Sequence, residues 1–408
     1  MRSTKRWIAL ATGAVTVLAA LTVTPAAFAA AGDAVVMVAC TAPAWAEGTP
    51  YAVGARVTYN GRLYQARVAH TPPPGAGWNP VDAASLWEDL GACDGGTTPP
   101  TTPPPTTPPP TSPPPATGGL AHAPYVDMGA WPSPDLPSMA TSGNLRNVTL
   151  AFITASACKA MWFNAYDPRQ AWAKDQIDAV RARGGDVKIS FGGATGIELA
   201  QACTSVSALQ AEYQAVVSAY NLKYIDLDIE GAATADPTSV ARRSQALAAL
   251  QRANPGLRVS FTLPVLPEGL TADGLNVIRS ARDAGVNVDL VNVMAMDYYR
   301  TGDYGNFAVD AANATFNQVK SLYPGRTDAQ LWKMVGVTPM LGTNDDGHIY
   351  DQADARQLVS FAQGRHLGML SFWELGRDKN ACTGALYMCT NIPQQPYEFS
   401  RIFAAYNG

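Results

Sequence analysis

Tyr224-Ile225-Asp226-Leu227-Asp228-Ile229-Glu230 alternates aliphatic and acidic residues without a break. Successive side chains on a strand point to opposite faces, so the spacing predicts a β-strand with Ile225, Leu227 and Ile229 on one face and Asp226, Asp228 and Glu230 on the other. Neighbouring acids on such a face stand ~7 Å apart. Where water is scarce, three like charges this close do not all ionise, and at least one proton is expected to stay on near neutral pH. A carboxyl that keeps its proton is what a general acid needs. Two other readings suit three carboxylates: a solvated outer strand, and an oxygen-ligand site for Mg²⁺ or Ca²⁺. The aliphatic second face argues against the first. Against the second, Gly231 to Ala235 is small and apolar and adds no ligands, so no metal or other cofactor is expected.

From Leu120 onward, short β-branched runs alternate with helical patterns. Strands are expected at 125–128, 148–153, 186–191, 224–229, 258–263, 288–295, 333–338 and 368–372. Helices are expected between many of them, as at 175–183, 209–220, 238–253 and 353–363. Eight strands with intervening helices in about 290 residues predict an α/β fold of the (β/α)8 TIM-barrel type over 120–408. A doubly wound open sheet is the alternative, but no Gly-rich phosphate turn follows the first strand.

The remaining segments read differently. Arg2, Lys5 and Arg6 precede an apolar run from Trp7 to about Val23, followed by Ala27-Phe28-Ala29, so residues 1–29 read as a cleaved signal peptide. The run is short for a membrane anchor, and the mature chain is expected to be secreted, extracellular and free of the membrane. Six cysteines in an exported chain favour disulfides, and their spacing pairs Cys40 with Cys93, Cys158 with Cys203, and Cys382 with Cys389. Cys40 after Met37-Val38-Ala39 imitates a lipid-attachment box but lies far beyond the apolar run. With four His and no Cys/His cluster, zinc is not expected.

Residues 94–119 hold eleven of the 31 prolines in Thr-Thr-Pro-Pro-Pro repeats. At roughly 3.1 Å per residue in polyproline II, the tract from Thr97 to Thr117 forms a stiff spacer on the order of 60 Å long between two folded units. In the first unit, 40–93, Ala55 to Tyr59, Asn60-Gly61 and Arg62 to Ala66 read as strand, type I′ turn and strand. Six large aromatics (Trp45, Tyr51, Tyr59, Tyr64, Trp78 and Trp87) exceed what so small a core hides. Exposed flat rings suit sugar stacking. Charged residues make up only 15 % of the chain and the net charge is −4, so a nucleic-acid partner is excluded and a neutral, polar one favoured. A monomer is expected.

The first unit resembles the small carbohydrate-binding modules of families 5 and 12. Ala44-Trp45, Tyr51, Gly54, Val57, Gly61, Tyr64, Ala69-His70-Thr71, Gly75-Ala76-Gly77-Trp78 and Leu86-Trp87 carry the likeness. The resemblance implies chitin contact by Trp78 and Trp87, with Trp45 third; the alternative places all three tryptophans in the core.

The second unit resembles the glycoside hydrolase family 18 catalytic barrel, whose fourth strand reads D-G-x-D-x-D-x-E. Here Asp226, Asp228 and Glu230 match, while Lys223 and Tyr224 replace the first Asp and the Gly. Ser190-Phe191-Gly192-Gly193 matches the family's S-x-G-G, and the resemblance implies that Ser190, Gly192 and Gly193 bind substrate. Met294-Ala295-Met296-Asp297 is similar to its M-x-Y-D, with Met296 at the Tyr position and Tyr298 or Tyr299 as replacement hydroxyl. Trp373 matches the tryptophan beneath the sugar, and Trp131 is a further stacking candidate. The resemblance implies hydrolysis of chitin and N-acetylglucosamine oligomers by a retaining, substrate-assisted route. Glu230 would be general acid and base, Asp228 would hold the acetamido nitrogen, Asp226 would exchange a hydrogen bond with Asp228, and Asp297 would orient the acetamido carbonyl. The alternatives are a chitin-gripping barrel without hydrolysis and an endo-β-N-acetylglucosaminidase on N-glycans. Only about 29 residues, Pro339 to Leu367, separate the last two strands, too few for a large lid domain, so an open cleft cutting within chains is expected.

Overall fold

The computed structural model describes residues 37–38, 40–72, 78–81, 83, 86–93 and 120–408. The expected signal peptide and the Pro/Thr-rich spacer lie outside the described residues. The described residues divide into two compact units, one ending at Cys93 and one beginning at Leu120.

The small unit is a four-stranded sheet of β1 (Met37–Val38), β2 (Arg56–Tyr59), β3 (Arg62–Ala66) and β4 (Trp87–Cys93) in the order β1-β4-β3-β2. The β2–β3 hairpin turns where expected: Tyr59 pairs with Arg62, and Asn60 and Gly61 both take the positive φ that a type I′ turn demands. Tyr51, Val57, Tyr64, Ala66 and Trp87 form the core. A Cys40–Cys93 disulfide closes the unit, which matters for a domain too small to depend on its core alone.

The large unit carries β5 (Tyr125–Asp127), β6 (Val148–Ala155), β7 (Ala160–Trp162), β8 (Val187–Gly192), β9 (Tyr224–Asp228), β10 (Arg258–Leu266), β11 (Gly269–Leu270), β12 (Val288–Ala295), β13 (Val335–Pro339), β14 (Gly342–Thr343), β15 (Ile349–Tyr350) and β16 (Met369–Leu370). Along β5-β6-β8-β9-β10-β12-β13-β16 every pairing is parallel, and these are the eight strands expected. Parallel neighbours need long crossovers, and helices such as Lys174–Ala182, Val206–Tyr220, Pro237–Ala253, Ala272–Asp283, Tyr304–Leu322 and Gln352–Arg365 supply them. Backbone hydrogen bonds from Leu370 N to Ala121 O (2.8 Å) and from Tyr125 N to Phe372 O (3.1 Å) tie the two ends of this order together. The short hairpins β6–β7, β10–β11 and β14–β15 extend the connections.

On β9, Ile225 and Leu227 are fully buried among the helices, while Asp226 and Asp228 take the opposite face and are also buried. The alternation therefore reads as expected, with both faces covered. The Cys158–Cys203 and Cys382–Cys389 disulfides complete the pairing that the spacing suggests.

Trp87→Ala is expected to cost about 3–5 kcal/mol, as loss of a core tryptophan does. For so small a core this removes the module's own unfolding transition from calorimetry of the full chain, leaving that of the large unit in place.

Candidate active site

Asp226 lies at the centre of a hydroxyl cage. Ser260 Oγ donates to its Oδ1 at 2.5 Å and Thr262 Oγ1 at 2.9 Å, while Ser190 Oγ (2.8 Å) and Tyr125 OH (2.9 Å) donate to Oδ2. Every one of these bonds is accepted by Asp226. Tyr125 reaches it from β5, with β6 and β8 between in the sheet order, so the sheet is strongly curved about this residue.

One turn of the alternation further along, Asp228 is buried and Glu230, just past the end of β9, is half-buried. Burial, the Glu230 charge and then the Asp226 charge push the Asp228 carboxyl well above the ordinary range. Burial raises Glu230 as well, and its hydrogen bond with Asp228 pulls it partly back. The pair therefore keeps a proton on Asp228, shared toward Glu230, under conditions where free carboxyls have lost theirs. Asp228 Oδ1 is buried with no hydrogen-bond partner among the described residues. The expected exchange between Asp226 and Asp228 is thus replaced by a division: Asp226 bonds to hydroxyls, and Asp228 to Glu230.

The glycines of Ser190-Phe191-Gly192-Gly193 make room for this strand. A Cβ on Gly192 would stand 2.0 Å from Asp228 O, and one on Gly193 2.7 Å from the Phe152 ring. Ser190 is fully buried beneath Asp226. These three residues, expected to bind substrate, are instead scaffold: the first lies under the acids, and the other two have no side chain and lie against β9 and Phe152.

Trp373 is half-buried and stacks on Phe152 (5.5 Å between centroids, 19° between planes), with the Tyr125 ring 5.8 Å away. The aromatic floor thus comes from three separate segments. Met296 and Asp297 are half-buried just past the end of β12. Asn344 Oδ1 accepts from Asp297 N (3.2 Å), and Asp346 N donates to Asp297 Oδ1 (3.3 Å), so the segment around β14 pins this acid. Burial, then the charge of Asp345, lift Asp297 to about 6. Tyr298 is packed against Tyr304 and Phe307 with its hydroxyl buried and unpartnered, a core position, whereas Tyr299 is 77 % exposed. Between the two candidates for the motif's missing hydroxyl, only Tyr299 faces solvent.

Lys223, one of the two departures from the family's fourth-strand motif, is exposed at the far end of β9 and pairs with Asp186 (3.5 Å). Strand polarity keeps it away from Asp228 and Glu230, so the substitution leaves the acids' surroundings untouched. A cavity of about 340 Å³ is lined by Asp127, Trp131, Glu374, Lys379, Asn380 and Tyr387, among others. Trp131 is 82 % exposed on its rim. In the small unit Trp78 is 40 % exposed, and Trp45 is half-buried with its ring edge-on to Tyr59. Trp87 corrects the expectation of chitin contact: it is 2 % exposed, donates to Trp78 O at 3.0 Å and packs on Tyr51, because β4 turns it into the core. Among the described residues no group of three or more His, Cys, Asp or Glu side chains is arranged to hold a metal ion, and no helix is long and apolar enough to cross a membrane.

Residues 44–88 match the model of carbohydrate-binding module family 5/12. The chain is 36 % identical over 306 residues to the probable bifunctional chitinase/lysozyme of Escherichia coli K12, covering 70 % of this chain and 34 % of that protein. It is 36 % identical over 280 residues to endochitinase 11 of Metarhizium anisopliae, covering 65 % of this chain and 54 % of that one. It thus spans about a third and about half of these two relatives. The solved catalytic domain of the hyperthermophilic chitinase from Pyrococcus furiosus is 34 % identical, with a TM-score of 0.66 over 70 % of this chain and 96 % of that one. The chain belongs to the glycoside hydrolase family 18 chitinases and carries a family 5/12 carbohydrate-binding module.

Glu374, also buried, accepts from the backbone N–H groups of Gly376 and Arg377 (both 2.9 Å), and burial lifts it to about 7 from an ordinary 4.5. The folded state thus holds a proton that the unfolded chain releases above about 4.5, so this residue's contribution to stability declines as pH rises through about 7. Glu374→Gln is expected to flatten the fall in unfolding free energy across that window, as read from urea denaturation at a series of pH values.

Proposed function

We propose that this protein is a secreted, endo-acting chitinase that hydrolyses β-1,4 N-acetylglucosamine linkages with retention, using the substrate's own acetamido group. The observation carrying the reading is the buried Asp228–Glu230 pair, which keeps a proton and leaves one Asp228 oxygen without a partner. Both acids come from one strand and so approach a sugar from one side, whereas a protein nucleophile and a general acid would flank the bond. An acetamido oxygen attacking the anomeric carbon needs no opposing carboxylate.

Glu230, at the open end of the pair, passes the proton it shares with Asp228 to the leaving oxygen, which leaves Asp228 charged, and later takes a proton from the incoming water. Asp228 turns its unpartnered oxygen to the acetamido N–H and stabilises the positive charge that develops on the oxazolinium ring. Asp226 is the fixed charge beneath them. Asp297 and Tyr299 flank the acetamido carbonyl, and Trp373 is the apolar floor under the sugar ring. Trp131 and the adjoining cavity accept a sugar further along the chain.

We read the large unit as a closed (β/α)8 barrel, in view of the hydrogen bonds between its first and last strands and the reach of Tyr125 to Asp226. The residues between β13 and β16 make only a short hairpin and one helix, which agrees with an open cleft. Three disulfides agree with an oxidising, extracellular setting. Trp78 supplies the module's stacking surface, with Trp45 beside its sheet, and the spacer holds the catalytic unit near an insoluble polymer. A monomer suffices for every step.

Soluble chitin oligomers test the reading directly. The parent chain is expected to release shorter oligomers, and Glu230→Gln to lower kcat by about 10²–10⁴-fold while retaining binding. Binding without turnover by the parent would favour the non-hydrolytic alternative, and cleavage of N-glycans but not chitin would favour the endoglycosidase. Trp78→Ala is expected to slow hydrolysis of insoluble chitin several-fold and to leave soluble oligomers unaffected, as measured by reducing-end release.

A further inference from the structure

Lys188 is 4 % exposed on β8, two residues before Ser190 and on the same face. Its Nζ lies 3.1 Å from Ser260 Oγ and 3.5 Å from Met369 Sδ. An ammonium only donates, so Ser260 receives a proton from Lys188 on a lone pair and has its own hydrogen free for Asp226 Oδ1, 2.5 Å away. Asn292 does the same for the other arm: its Nδ2 donates to Thr262 Oγ1 (3.0 Å), and Thr262 donates to Asp226. Of these two arms only the Lys188 arm brings charge.

The charges that face Lys188 come from three neighbouring strands. Asp226 on β9 and Asp289 on β12 attract it, and Arg258 on β10 repels it. Arg258 is paired with Asp289 at 2.6 Å, so that couple largely cancels and Asp226 is left as the counter-ion. Above Asp226 stand Asp228 and Glu230, and Tyr125 OH touches it from β5.

We propose that Lys188 is a positioning residue that acts through Ser260 to keep Asp226 charged beneath the Asp228–Glu230 pair. The acid cluster would otherwise hold three carboxyls with no cation among them, and the cheapest relief would be a proton on Asp226. Asp226 would then no longer supply the charge that helps keep the proton on Asp228. A cation placed one hydroxyl away prevents this at the cost of its own desolvation, and burial does pull the Lys188 ammonium below the ordinary lysine range.

This inference rests on the hydrolase reading for its activity test but not for its spectroscopic one. Lys188→Met keeps the length of the side chain and removes the charge. In full chain labelled with ¹³C at aspartate carboxyls, the Asp226 carboxyl of Lys188→Met is expected to titrate roughly one pH unit higher than in the parent, as loss of a nearby opposite charge dictates. The acid limb of kcat/KM on soluble chitin oligomers is expected to move up by the same amount, with a smaller shift of the alkaline limb, because Glu230 is further from the lysine. Ser260→Ala, which cuts the relay without touching the charge, is expected to shift the limb in the same direction by less, and it decides the matter if Lys188→Met does not fold. Titrations and limbs that superimpose on the parent's, even with a uniformly lower kcat, would overturn the proposal, since a packing role lowers activity without moving a profile. A parent chain inactive on chitin would sink the hydrolase reading, yet the aspartate titrations would still decide the role of Lys188.

Discussion

Three carboxyls in a row on the covered face of one strand set the terms for the rest of the large unit. Moving a single ionised carboxylate out of water costs several kcal/mol even after the protein relaxes, so a strand bearing Asp226, Asp228 and Glu230 is tolerated only where its surroundings answer each one. The answers differ. Asp226 receives four hydroxyl donors, whereas Asp228 and Glu230 hold on to a proton between them. The same cost, met in two ways, produces one fixed acceptor and one poised acid, and that difference is what a proton-transfer reaction uses.

The scaffold is arranged around this need. Tyr125 comes from β5, Ser190 from β8, and Ser260 and Thr262 from β10, so the cage exists only because the sheet curves until non-adjacent strands face the same acid. Gly192 lets β8 pass within a distance of β9 that any side chain would prevent. The rings of Tyr125, Phe152 and Trp373 pack on one another from three separate segments of the chain. The acids themselves are a small part of the arrangement that holds them.

Much of this was legible in the chain. The alternation at 224–230 announced a strand with an acidic face, and the eight β-branched runs announced the parallel sheet, because period-two patterning and βα spacing are local properties. Asn60-Gly61 gave the hairpin for the same reason. A further signal went unused: Val187-Lys188-Ile189-Ser190-Phe191 and Val259-Ser260-Phe261-Thr262-Leu263 also alternate, placing polar residues on the face that the acids share. Other features could not be read in that way. Trp78 and Trp87 are both tryptophans in one small aromatic-rich unit, and only the course of β4 decides that Trp87 is core and Trp78 is surface. Tyr298 and Tyr299 are adjacent, yet one enters an aromatic cluster with Tyr304 and Phe307 and the other faces solvent.

The amino-acid sequence by itself determined which residues form strands, which face of each strand is polar, where the cysteines pair and where acids accumulate, since each follows from spacing along the chain. Tertiary structure decided which of those acids keeps a proton, which tryptophan meets solvent, and that a lysine forty residues from the acids in sequence stands one hydroxyl away from them in space. Those outcomes depend on burial and on the distance between strands remote in sequence, and neither quantity exists until the sheet has curved its polar face around the acids.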